Sequence, residues 1–142
     1  MQRPKADDFL LSLNAGKPYS LIHKTKKDFT LVVKVYGTQF GQLQKPGDVV
    51  PAGGKADGEL LERAAQQAQA VATVLRGLEY DAYVLHTRYE SFVCIGEYDS
   101  KDDPRLLAIS EKLAGQPLKD KKTSQVIETF MEKPLPAMIP RP

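Results

Sequence analysis

The sequence predicts an α+β domain of the split βαβ, ferredoxin-like kind: βαββαβ in order, a four-stranded antiparallel sheet with both helices on one face. Three observations carry this. Phe29 to Tyr36 is dense in β-branched and aromatic residues, as a main strand requires. Ala82 to Thr87 and Ser91 to Tyr98 form two further runs joined by the short polar link Arg88-Tyr89-Glu90, an antiparallel hairpin. Two stretches with helical spacing follow the first and third of these strands.

The elements follow in order. Phe9-Leu10-Leu11-Ser12-Leu13 is an apolar run closed by the turn Asn14-Ala15-Gly16-Lys17-Pro18, and Tyr19 to Ile22 reads as a short extended piece, so residues 1–28 form an N-terminal extended arm. The basic segment Lys24-Thr25-Lys26-Lys27 then leads into the first strand. From Gly37 to Gly58, six glycines and two prolines without apolar periodicity define a long loop. Asp57 is placed to cap the longest helix, in which Leu61, Ala64, Ala68, Val71 and Leu75 recur every three or four residues until Gly77 stops it. Asp102-Asp103-Pro104 opens the second helix, with Leu106, Ile109 and Leu113 facing inward and Gly115 ending it. Gln125 to Phe130 is the expected fourth strand, completing a domain over 29–130. Four prolines in Pro134 to Pro142 make 131–142 an extended C-terminal arm.

Composition narrows function. The 142 residues suit one domain that needs no disulfide or metal to fold, and the single cysteine, Cys94, has no partner in the chain. Twenty basic against 18 acidic residues, a net charge of +2, declare neither a nucleic acid nor an anionic membrane. No run approaches the roughly 20 apolar residues of a membrane span, and the start of the chain lacks a signal peptide's apolar core.

Catalytic, metal and cofactor sites are not expected. His23 and His86 stand far apart, without metal-ligand spacing. Cys94 and His86 lie on neighbouring strands, but alternation directs them to opposite faces. Asp102 and Asp103 read as a helix cap and Gly53-Gly54-Lys55 as a linker lacking Walker spacing. Alternation also sorts the strands into a helix-facing set, Leu31, Val33, Val35, Ala82, Val84, Val93 and Ile95, and an opposite set, Val32, Lys34, Tyr36, Tyr83, Leu85, Phe92 and Cys94. The second set is too apolar for a solvated face, so an arm, a second copy of the chain in a homodimer, or a ligand should cover it. RNA is disfavoured, because Ser91-Phe92-Val93-Cys94-Ile95-Gly96 departs from the RNA-binding signature for that strand.

Two strings, Gly77-Leu78-Glu79-Tyr80-Asp81-Ala82-Tyr83-Val84 and Ser91-Phe92-Val93-Cys94-Ile95-Gly96-Glu97-Tyr98, give the chain a resemblance to the SPOR (sporulation-related repeat) domain. That family places a Gly-x-x-Tyr-x-Ala-Tyr-Val segment after its first helix and a strand ending in Val-Gly-x-Phe before its second. The likeness covers about Phe29 to Leu113. It implies a non-enzymatic module of a bacterial envelope protein that binds peptidoglycan glycan strands on the open sheet face, and hence a place in the cell envelope or periplasm. Lys34 stands where the family tends to have glutamine, and Phe92 and Cys94 where it has polar residues, so this face offers glycan hydroxyls few partners. A protein partner or self-assembly on the same face is the alternative.

Overall fold

The structure, a computed structural model, describes residues 5–37 and 54–142, the side chains of 54–58 excepted. It is α+β, built on a four-stranded antiparallel sheet. The elements are α1 (Asp8–Asn14), α2 (Leu21–Lys24), β1 (Phe29–Gly37), α3 (Gly54–Gly77), β2 (Ala82–His86), β3 (Glu90–Tyr98), α4 (Pro104–Leu113), β4 (Pro117–Lys119), β5 (Val126–Thr129) and β6 (Leu135–Met138). The main sheet runs β2-β3-β1-β6, an order compatible with a ferredoxin-like fold.

On one face, Ala64, Ala68, Val71, Ala72 and Leu75 of α3 and Leu106 and Leu113 of α4 pack against Leu31, Val33, Ala82, Val84, Val93 and Ile95. The alanines let α3 lie close to the strands. Each large aliphatic side chain fully buried here contributes about 1.5–3 kcal/mol. Asp103 caps α4, its carboxylate accepting from the Arg105 amide at 2.9 Å, with Pro104 in the first turn where no amide is needed.

Several sequence expectations are corrected. The fourth strand of the main sheet is β6, in the proline-rich tail, while the expected strand at Gln125–Phe130 contains β5, which pairs with β4 in a separate two-stranded sheet. Pro136 is tolerated because β6 is an edge strand, where a missing N–H can face away from the ladder. The N-terminal arm is partly helical: Asp7 caps α1 and Ser20 caps α2, so local capping overrides the extended reading of Tyr19 to Ile22. Asp57 lies inside α3, which begins at Gly54, and therefore is not its cap. The remainder of the expected loop, 38–53, lies outside the described residues. Gly77 is the last residue of α3, but the left-handed residue that closes it is Glu79, at φ 72°. The Glu79 amide donates to Arg76 and the Tyr80 amide reaches back to Leu75, the paired bonds of a Schellman ending.

Candidate functional site

The sheet face opposite the helices is covered by the chain's own termini. Val32, Leu85 and Cys94 form a second buried cluster with Ala6, Leu21, Ile22 and Ile139, and Tyr83 and Phe92 pack against it. Asn14, fully buried, bolts the N-terminal arm down: its amide donates to the His86 carbonyl and its carbonyl accepts from the His86 amide, each at 2.8 Å. The Arg141 guanidinium clasps the C-terminal arm by donating to the carbonyls of Ile22, Thr25 and Lys27.

Five of the seven residues expected on this face are therefore brought together, and Lys34 and Tyr36 are not. The reason is a bulge. Val32 pairs with Cys94 but Lys34 with Val93, so β1 carries one extra residue and its alternation inverts. Tyr36 joins the helix-side core and Val35 the arm-side cluster, the reverse of the strict period-two assignment. Lys34 and Tyr36 share Glu128 of β5: the ammonium lies 3.0 Å from one carboxylate oxygen and the phenol donates to the other at 2.7 Å. Burial and this carboxylate push the Tyr36 phenol far above its ordinary range, while its hydrogen bond and that of Lys34 outweigh burial and lower Glu128.

A different surface gathers polar and aromatic groups. At the end of the β2–β3 hairpin a cleft of about 540 Å³ is lined by Lys26, Lys27, Glu79, Tyr80, Asp81, Tyr83, Ile95, Gly96, Glu97, Tyr98, Arg105 and Ile109. Eight of these twelve come from the two sequence strings singled out above, which the fold brings together. The Gly96 amide donates to the Asp81 carbonyl at 2.8 Å, stitching one string to the other. Gly96 sits at φ +77°, and a side chain there would collide with the Tyr98 hydroxyl.

The charges of the cleft are only partly spent. Glu97 accepts from the Lys26 and Lys27 amides at 2.8 and 2.9 Å, bonds that outweigh burial and lower its carboxyl pKa. Arg105 is paired to Asp103 at 3.1 Å. The Tyr98 hydroxyl is buried without a hydrogen-bond partner among the described residues, and burial, then the Asp103 charge, push its pKa up to about 12. Burial and the fields of Glu97 and Asp81 also raise Tyr83. The carboxylates of Glu79 and Asp81 make no hydrogen bond or ion pair within the described residues, leaving acceptors beside tyrosine rings. That combination suits a polyhydroxylated ligand with an apolar ring face.

Of the thiol and imidazole groups, His23 lies in α2 with its Nδ1 2.8 Å from Ser20 Oγ and does not line the cleft. Cys94 is 1% exposed and burial pushes its thiol up to about 12, so it is not nucleophilic in this setting. His86, on the helix side, meets Ser91 Oγ through Nδ1 at 2.7 Å and Gln69 Oε1 through Nε2 at 3.1 Å. This has the bonding order of nucleophile, base and orienting group, but the hydroxyl is buried within a strand. Burial, then the Lys17 charge, pull His86 down to about 4, leaving it a weak base. Among the described residues no three His, Cys, Asp or Glu side chains converge on a metal position, and no helix is long and apolar enough to cross a membrane. No family model, curated protein or solved structure matches the chain, so the site is read from its own chemistry.

Proposed function

We propose that this domain is a non-catalytic, SPOR-like binding module of a bacterial envelope protein, and that it recognises peptidoglycan glycan in the hairpin-end cleft rather than on the sheet face. The observation that carries the reading is the convergence of the two SPOR-like strings on one cleft, with Tyr80, Tyr83 and the carboxylates of Glu79 and Asp81, which have no partner among the described residues. Aromatic faces take up the apolar side of a pyranose, and carboxylates accept from its hydroxyls. The strand order supports a ferredoxin-like topology in which β6 stands in for the fourth strand. The sheet face is filled by the arms, which leaves glycan no room there without unpacking Ile139 and Ile22.

Co-sedimentation with purified peptidoglycan tests this. Asp81→Asn should weaken capture by about tenfold, since a hydrogen bond to a charged group is worth roughly 1.5–3 kcal/mol, and Tyr80→Ala should weaken it by up to about tenfold through loss of an aromatic contact worth roughly 0.5–1.5 kcal/mol. Unchanged capture by both variants, or none by the wild type, refutes the reading.

A second reading, assembly through a protein partner or a second copy, is favoured by one observation. Val126 and Ile127 of β5 are 58% and 42% exposed, and β5 pairs on one side only among the described residues. Such an edge is a template for strand addition. Sedimentation velocity would show a dimer that Val126→Lys returns to monomer.

A further inference from the structure

On the far side of the β2–β3 hairpin from the glycan cleft lies a smaller cavity of about 280 Å³. It sits between α1, the first half of α3 and the hairpin turn. Its walls are Phe9, Leu13, Leu61 and Ala65, its floor is His86 and Ser91, and Lys17, Arg88 and Glu62 also line it. The volume is at the small end for ligand sites, which run from roughly 300 Å³ upward.

The charges of this cavity are open to a ligand. Lys17 and Arg88 make no ion pair within the described residues, and among those residues Glu62 is the one carboxylate that lines the cavity with them. The Arg88 guanidinium lies over the Phe9 ring at 4.2 Å, which sets its planar donors beside an apolar wall. The Lys17 ammonium is close enough to the floor to depress the basicity of His86. Both ring nitrogens of His86 are engaged by Ser91 and Gln69, and the imidazole is neutral, so the floor adds no charge of its own. Asn14 fixes α1 to β2, so the wall carrying Phe9 and Leu13 is held in place before any ligand arrives.

We infer that this cavity binds a small amphipathic carboxylate, its short hydrocarbon body among Phe9, Leu13, Leu61 and Ala65 and its carboxylate on Lys17 and Arg88. An apolar body accounts for the four hydrophobic walls, which inorganic phosphate would leave unfilled. A planar anion accounts for a guanidinium at the rim that has no ion-pair partner among the described residues, since Arg meets a carboxylate through two parallel bonds.

The test is an amide NMR titration of the whole chain with hexanoate, hexanol and hexylammonium, which share a hydrocarbon body and differ in charge. Hexanoate should shift the amides of Leu13, Lys17, Thr87 and Arg88 saturably, and bind about tenfold more tightly than hexanol, with hexylammonium weakest. Lys17→Glu and Arg88→Glu should each cost about tenfold for hexanoate while leaving hexanol unchanged. Leu61→Trp, which fills the cavity from the partly exposed flank of α3, should abolish binding of all three with the remaining spectrum intact. Equal affinity for the three probes, shifts located elsewhere, or hexanoate binding that survives Leu61→Trp would each overturn the assignment.

Discussion

Ile139→Ala is the most direct probe of whether the C-terminal arm is part of the core or a detachable cover. Ile139 is 0% exposed, packs in the cluster with Leu21, Ile22, Val32, Leu85 and Cys94, and donates its amide to the Asp28 carbonyl at 2.7 Å. Truncating such a side chain removes its transfer free energy and leaves a cavity, together about 2–5 kcal/mol. For a chain of 142 residues, an unfolding entropy of about 2.1 cal/mol/K per residue gives about 0.3 kcal/mol per kelvin at the midpoint. A loss of about 3 kcal/mol therefore lowers Tm by about 10 °C if the arm unfolds with the domain. Calorimetry should show one cooperative transition moved by that amount. If instead the arm is a separable strap, Ile139→Ala releases it locally: Tm stays within about 2 °C of wild type, and a glutamate-specific protease cuts after Glu132 under native conditions. That second pattern would refute the view that the sheet face is permanently filled, and with it the argument that moves glycan recognition to the cleft.

Three further outcomes follow from named groups. His86 titrates near 4 in the folded chain against an ordinary 6.5, so the unfolded state binds the extra proton between those values. Stability therefore falls as pH drops through that window, by at most on the order of 3 kcal/mol, and comparing the pH dependence of wild type with His86→Gln in urea melts should show that part flattened in the variant. Gly96→Ala places a methyl group against the Tyr98 hydroxyl at a left-handed residue, and should destabilise by about 2 kcal/mol or more, as measured by denaturant midpoint. Glu79→Gly relieves a non-glycine residue at φ 72° and should raise stability by about 0.5–1 kcal/mol in the same assay; a loss instead would mean that the Glu79 side chain holds the turn by contacts.

What could be read from sequence was whatever one periodicity governs over a whole element. The α3 stripe from Ala64 to Leu75, the hairpin, the Asp103–Pro104 cap and the opposite placement of His86 and Cys94 all obey a single repeat. The failures occur where one residue interrupts a repeat. The extra residue near Val33 carries no composition signal, since Val32, Val33, Lys34 and Val35 suit a regular strand equally well, yet it exchanges Val35 and Tyr36 between faces. The order of strands in the sheet was lost for a related reason. Val126–Thr129 has better strand composition than Leu135–Met138, but β6 wins the edge of β1 by pairing Phe29 to Val32 with Met138 to Leu135 while Ile139 is buried beneath it. Tertiary burial outweighed local propensity, as it commonly does for strands.

The cleft was legible only as two strings, because nothing in a linear sequence says that they meet. Their meeting depends on two backbone irregularities. Glu79 at φ 72° turns the chain from α3 into β2, and Gly96 at φ +77° breaks the register between β1 and β3 while its amide binds Asp81. A glycine at the first position would make the turn with less strain, so its glutamate is a local choice against stability. Irregularities of this kind gather at sites, where the surrounding fold holds what the local sequence would not choose. The comparison that gives this meaning is Glu79→Gly measured twice, once for stability and once for peptidoglycan capture. If Glu79 takes part in the proposed recognition, the two move in opposite directions, the variant becoming more stable while capture weakens with the loss of its carboxylate. If stability rises and capture is untouched, Glu79 contributes nothing to recognition, and the binding surface must lie with Asp81 and the tyrosines alone.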